Sequence, residues 1–149
     1  MTNKDLAVRY FDAVWSKDFD PATIRELASP DIVFRYPMHG MFHGSDAVIE
    51  LLESFRKSLP DLNFWATAEL LEDGDYVIAR WEGGGTHTGD AITDLPHGGP
   101  IPAGSGAKMF FSGMSALKFR DGKVIEDIGE EGAIDGHLQL GAVVPSAPA

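Results

Sequence analysis

The order of hydrophobic periodicities along the chain predicts an α+β domain. Apolar residues recur at three- and four-residue spacing up to about residue 59 and then at every second residue, with two Asp-Gly pairs marking hairpin turns. Helices followed by consecutive antiparallel hairpins give a curved sheet with helices against one face.

Each element has its own signal. Leu6, Tyr10, Phe11, Val14 and Trp15 predict an amphipathic helix over about residues 3–17 with one aromatic-rich face. "DPATIRELAS" predicts a short second helix, with Asp20 as N-cap and Pro21 at the first helical position. "DIVFRYP" reads as a strand ending at Pro37. "GSDAVIELLESFRKSLPD" reads as a third helix capped by Ser45, with Val48, Leu51, Leu52 and Phe55 on one face and Pro60 as its stop. "NFWATAELL" and "YVIARWE" flank "EDGD", and "KMFFSGMSALKF" and "KVIEDIGEE" flank "RDGK", so four long strands form two hairpins. "AIDGHLQLG" suits a short helix or a loose turn. One domain over residues 1–141 is expected, with a flexible tail over 142–149.

Composition excludes several functions. A chain of 149 residues, 44% hydrophobic, is large enough for a core and a pocket. Its formal charge of −11 repels phosphate backbones and anionic lipid heads, so neither nucleic acid nor a membrane surface is an expected partner. With no cysteine there is no disulfide, thiolate nucleophile or cysteine metal site. Lacking a signal-peptide pattern or a spanning apolar run, the sequence predicts a cytoplasmic location. His39 and His43 flank "GMF" at i, i+4, a spacing that converges on a metal only in a helix; the glycine argues for a loop, and no metal is expected.

Five segments carry a resemblance: "PDIVFRYP", "GSDAVIELLESFRKSLPDLNF", "ARWEGGGTHTG", "FFSGMSALKFRDGKVIED" and "LQLG". In order and spacing the chain is similar to the SnoaL-like polyketide cyclases of the NTF2-like superfamily, from the first helix to Gly141. The resemblance implies a cone-shaped α+β barrel enclosing a cavity, no cofactor, frequent homodimerisation, and ring closure of an apolar carbonyl compound by acid–base catalysis. It also implies an acid–base aspartate a few positions before "QLG". Counted back from Gln139 without a gap, that position holds Gly132.

The second hairpin nominates a replacement. With Asp121-Gly122 as a two-residue turn, an unbroken register pairs Phe119 with Val124, Leu117 with Glu126, Ser115 with Ile128 and Gly113 with Glu130. That face is the more apolar, so Glu130 is expected inside, as the catalytic carboxylate, next to Ile128. Asp127, Met114 and Glu131 fall on the opposite face, which suits solvent or a dimer contact. Glu131 and Asp135 are the other acids able to take the role, unless the chemistry is lost.

Around this acid stand the other candidates. Glycines 83 to 85 remove side chains where a strand bends at the mouth of the cone, which places His87 at a rim. There it orients or protonates substrate, or is held structurally by a neighbouring carbonyl. Arg35 and Tyr36 occupy a strand that carries polar pocket residues in many relatives. Trp65 and Trp81 suit cavity lining and a flat or apolar ligand. Arg80 and Glu82, two apart, are similar to the pair in the limonene-epoxide-hydrolase branch, a water-activating alternative that needs both inside. A non-catalytic binding module is the third reading. The segment "DAITDLPHGGPIPAGSGA", residues 90–107, is long for a connection and reads as a lid or a disordered excursion.

Overall fold

The computed structural model describes residues 1–147. Its elements run α1 (Asn3–Trp15), α2 (Pro21–Leu27), β1 (Ala28–Tyr36), β2 (Gly40–His43), α3 (Ser45–Ser58), β3 (Asn63–Ala66), β4 (Leu71–Asp73), β5 (Tyr76–Thr86), β6 (Lys108–Arg120), β7 (Lys123–Glu131) and α4 (Ala133–Leu140). Seven strands form one sheet in the order β2-β1-β7-β6-β5-β3, with β4 also pairing with β5. Among the described residues only the β1–β7 pair is parallel.

Local chemistry explains the helix starts. Thr2 and Asp5 form a capping box at α1, and the Asp20 side chain accepts from Ala22 N at α2. At α3 the cap is Gly44 rather than Ser45: the chain leaves β2 at φ +92°, and Ser45 becomes the first helical residue. β2 is a strand where a loop is expected, because Met41 and Phe42 pair with Arg35 and Phe34 at the end of β1. The first long hairpin strand is likewise split into β3 and β4, while β5 runs through all three glycines to Thr86.

The inner face of the sheet packs against α1 and α3. Trp15, Phe34, Tyr36, Phe64, Trp81 and Phe111 form a continuous aromatic core there, with ring centroids 4.8–6.5 Å apart. Two glycines make the close packing possible. A Cβ on Gly129 would lie 2.1 Å from the Tyr36 ring, and one on Gly113 would lie 2.6 Å from the Trp81 ring.

The segment after β5 is ordered. Ile92 and Ile101 pair with each other and are buried, Gly89 and Asp90 donate to the end of α3, and Gly99 N donates to Ala142 O at 2.8 Å. It forms a strap from α3 to the C-terminal end of α4. Ala142 and Val143, where the expected tail begins, bond to the body through backbone hydrogen bonds; residues 148–149 of that tail lie outside the described residues. α4 is a helix, closed by Gly141 in the left-handed region. Its Gln139 side chain accepts from Phe110 N at 2.6 Å and donates to Phe110 O at 3.0 Å, taking the place of a strand beside β6 where β7 has ended.

Candidate active site

One bulge decides which acids enter the cone. Phe119 pairs with Val124, as the two-residue turn requires, but the next pair is Lys118 with Glu126, so Ile125 is an extra residue in β7. A one-residue slip moves every later side chain to the other face. Asp127, Gly129 and Glu131 therefore point inward and Ile128 and Glu130 outward.

The expected position of Glu130 is thus corrected. It is exposed, and its Oε1 accepts from Arg35 Nη2 at 2.5 Å on the outer face. Ile128 lies on that same face, half-buried. Arg80 and Glu82 are outside as well, because Ala79, Trp81 and Gly83 take the inward positions of β5. The pair needed by the water-activating alternative is absent from the interior. Trp65 is 43% exposed beside Phe110 on the outer surface and lines nothing inside.

His87 is not at a rim. It is fully buried, with Nδ1 2.8 Å from Ser105 Oγ and Nε2 2.6 Å from Asp90 O. Its backbone N donates to Ala107 O and its carbonyl accepts from Gly106 N. The ring ties together the two feet of the strap, and this is the structural alternative held open for it.

Inside the cone is a small cavity of about 10 Å³, walled by Trp15, Met38, Phe55, Phe64, Trp81 and Phe111. Its polar lining is Glu131 and His39. Glu131 Oε1 accepts from Met38 N at 2.8 Å. Burial pushes the Glu131 carboxyl up to about 7, against the lowering effect of the Met38 N–H. The His39 ring sits between Trp15 and Phe55. Burial, with His137 nearby, pushes it down to about 4, so the imidazole is neutral at pH 7.

Behind the cavity lies a second carboxyl. Asp127 is fully buried, accepting from Tyr36 Oη at 2.6 Å and Tyr10 Oη at 3.0 Å. Burial raises it to about 6 although both tyrosines favour the charged form. Tyr36 also contacts Ser115 Oγ at 2.7 Å, and Ser115 Oγ accepts from Trp81 Nε1 at 2.9 Å. Of the residues singled out in the sequence, the interior thus holds Tyr36 and Trp81. It also holds Glu131, expected only as an alternative acid, and Asp127, expected on the outer face, both turned inward by the bulge, and His39, weighed in the sequence only as half of a metal pair. Among the described residues no cluster of three metal-ligating side chains occurs.

Residues 5–135 match the profile of the SnoaL-like polyketide cyclases, which spans most of the chain. The chain belongs to that family. Curated proteins give no sequence match. Among solved structures, the SnoaL-like chain is similar to a protein assigned as a SnoaL-like polyketide cyclase from Jannaschia sp. CCS1, with TM-score 0.78 and 19% identity over 95% of this chain and 93% of that one. It is also similar to IdmH of Streptomyces antibioticus, assigned as a polyketide cyclase, with TM-score 0.71 and 21% identity over 95% and 99%. A protein from Catenulispora acidiphila with a ketosteroid isomerase-like fold, in complex with trimethylamine, has TM-score 0.72 and 15% identity over 99% and 100%. The fold of this SnoaL-like chain is therefore NTF2-like, as the resemblance implied.

Proposed function

We propose that the protein is an acid–base enzyme of the cyclase or isomerase type, working without a cofactor on an apolar, ring-bearing carbonyl compound, with Glu131 as its proton carrier. The observation that carries this is a carboxyl, raised to about 7, lining a cavity otherwise walled almost entirely by aromatic rings. Such a group takes and returns a proton at neutral pH. Glu131 removes a proton alpha to the carbonyl, the C–H electron pair becomes the C=C bond of the enolate, and the C=O π pair moves onto the oxygen. A neutral His39 N–H donates to the resulting enolate oxygen. In a cyclisation the enolate carbon attacks a second carbonyl of the same molecule, and Glu131 gives its proton to the new alkoxide. In an isomerisation it returns the proton to another carbon. Glu131 stands one residue before Gly132, so it takes the role that the family's aspartate leaves vacant.

The test is exchange of the alpha protons of 2-tetralone in D₂O, followed by NMR. The wild type is expected to accelerate exchange, and Glu131→Gln to lower that rate by about 10²-fold or more. Tight binding of 2-tetralone with no exchange would favour a non-catalytic binding module.

A further inference from the structure

The network that ends at Asp127 has no part in the proton transfer proposed above, yet it ends on a wall of the cavity. Trp81, Gly113 and Glu131 are register neighbours on the inner face of β5, β6 and β7. The six-membered ring of Trp81 occupies the space over Gly113, where a Cβ would lie 2.6 Å from it, beside the Glu131 position. The other end of the indole is held by Ser115, whose Oγ accepts from Nε1 at 2.9 Å. Ser115 is itself 1% exposed and meets Tyr36 Oη at 2.7 Å, and Tyr36 donates to Asp127. The Tyr36 ring lies in the slot left by Gly129, so this partner is fixed too.

Trp81 is therefore clamped at both ends, by a missing side chain and by a buried hydroxyl. A buried indole N–H needs an acceptor, and Ser115 is the one it has. The clamp fixes the sheet side of the cavity. That cavity has room for about one water, so a ring-bearing substrate would enter by displacing the wall the clamp does not hold, at Met38, His39 and Phe55.

We propose that Ser115 is a positioning residue which, backed by Tyr36 and Asp127, holds Trp81 as a fixed plane beside Glu131 and so sets the preference of the site for fused-ring over single-ring carbonyl compounds. This rests on the acid–base reading for its kinetic arm alone.

Ser115→Ala and Tyr36→Phe separate the parts. Ser115→Ala removes the acceptor of the indole N–H, whereas Tyr36→Phe keeps the ring over Gly129 and cuts Ser115 from Asp127. In a Trp15→Phe, Trp65→Phe background Trp81 is the sole tryptophan, and its indole N–H is read by NMR. A slowly exchanging N–H in the parent, with exchange at least 10-fold faster in Ser115→Ala and an intermediate value in Tyr36→Phe, is expected. In the native-tryptophan protein, the ratio of kcat/KM for alpha-proton exchange of 2-tetralone over cyclohexanone should fall about 10-fold in Ser115→Ala, mainly through KM for 2-tetralone. An unchanged N–H exchange rate overturns the clamp. An unchanged ratio with a changed N–H overturns its role in selectivity. If the wild type exchanges neither ketone, the acid–base reading fails, and the same ratio is taken from dissociation constants of the two ketones, where it stands or falls separately.

Discussion

Glu131 and His39 face the same cavity with opposite demands on the proton, and their pH dependences have opposite signs. The folded state holds the Glu131 proton more tightly than the unfolded chain does, since its carboxyl is raised from 4.5 to about 7. Stability is thus lost as pH rises through that window, and the loss is complete above it. His39 is lowered from 6.5 to about 4, so its contribution is present above 6.5 and lost as pH falls. Comparing Glu131→Gln with the wild type cancels the histidine. The variant should be more stable at pH 8, by up to about 3 kcal/mol, and the gain should shrink to a small fraction of that at pH 5. Urea denaturation at the two pH values measures it, and a gain independent of pH would show that the Glu131 carboxyl is not desolvated.

At the scale of elements, the strap and the bulge separate what periodicity shows from what it hides. The Asp20 cap of α2, the hairpin turns and the helical face of α3 were legible because each is a local pattern of side chains, whereas the cap of α3 falls on Gly44 and not on Ser45. The Phe119–Val124 pair followed from Asp121-Gly122 for the same reason. Ile125 is an extra residue that no local pattern marks, and it exchanged Glu130 for Glu131 in the interior. The inner face looked more apolar with Ile128 on it, yet Gly129 is the residue required there, because only a missing side chain admits the Tyr36 ring. His87 was misplaced for a related reason. A histidine between threonines after three glycines resembles a rim, while the partners that bury it come from Asp90 and Ser105 across the strap. His87→Ala should therefore cost about 1–3 kcal/mol, by loss of buried hydrogen bonds. Thermal unfolding together with faster proteolytic cleavage within residues 90–105 is the check; an unchanged melting temperature would contradict the pin.

The whole molecule shows a polar-rimmed but partly apolar outer sheet face. Ile78, Ala116 and Ile128 are register neighbours across β5, β6 and β7, with Met114 49% exposed and Tyr76 41% exposed beside them. Apolar surface in a row of this kind is a candidate for a two-fold contact with a second copy. We propose that the chain pairs with a second copy through this face, as the resemblance to the family implies. Sedimentation should give a dimer at micromolar concentration for the wild type and a monomer for Ile128→Glu, whose charge enters the centre of the row; a monomeric wild type would contradict it. Among the described residues, no helix is long and apolar enough to cross a membrane. The most direct measurement is the pH dependence of alpha-proton exchange on 2-tetralone, for wild type and Glu131→Gln. The expected result is a rate that rises with a midpoint near 7 in the wild type and is lost in the variant. A midpoint near the ordinary carboxylate value of roughly 4.3, or an equal profile in Glu131→Gln, would contradict the assignment of Glu131 as the proton carrier.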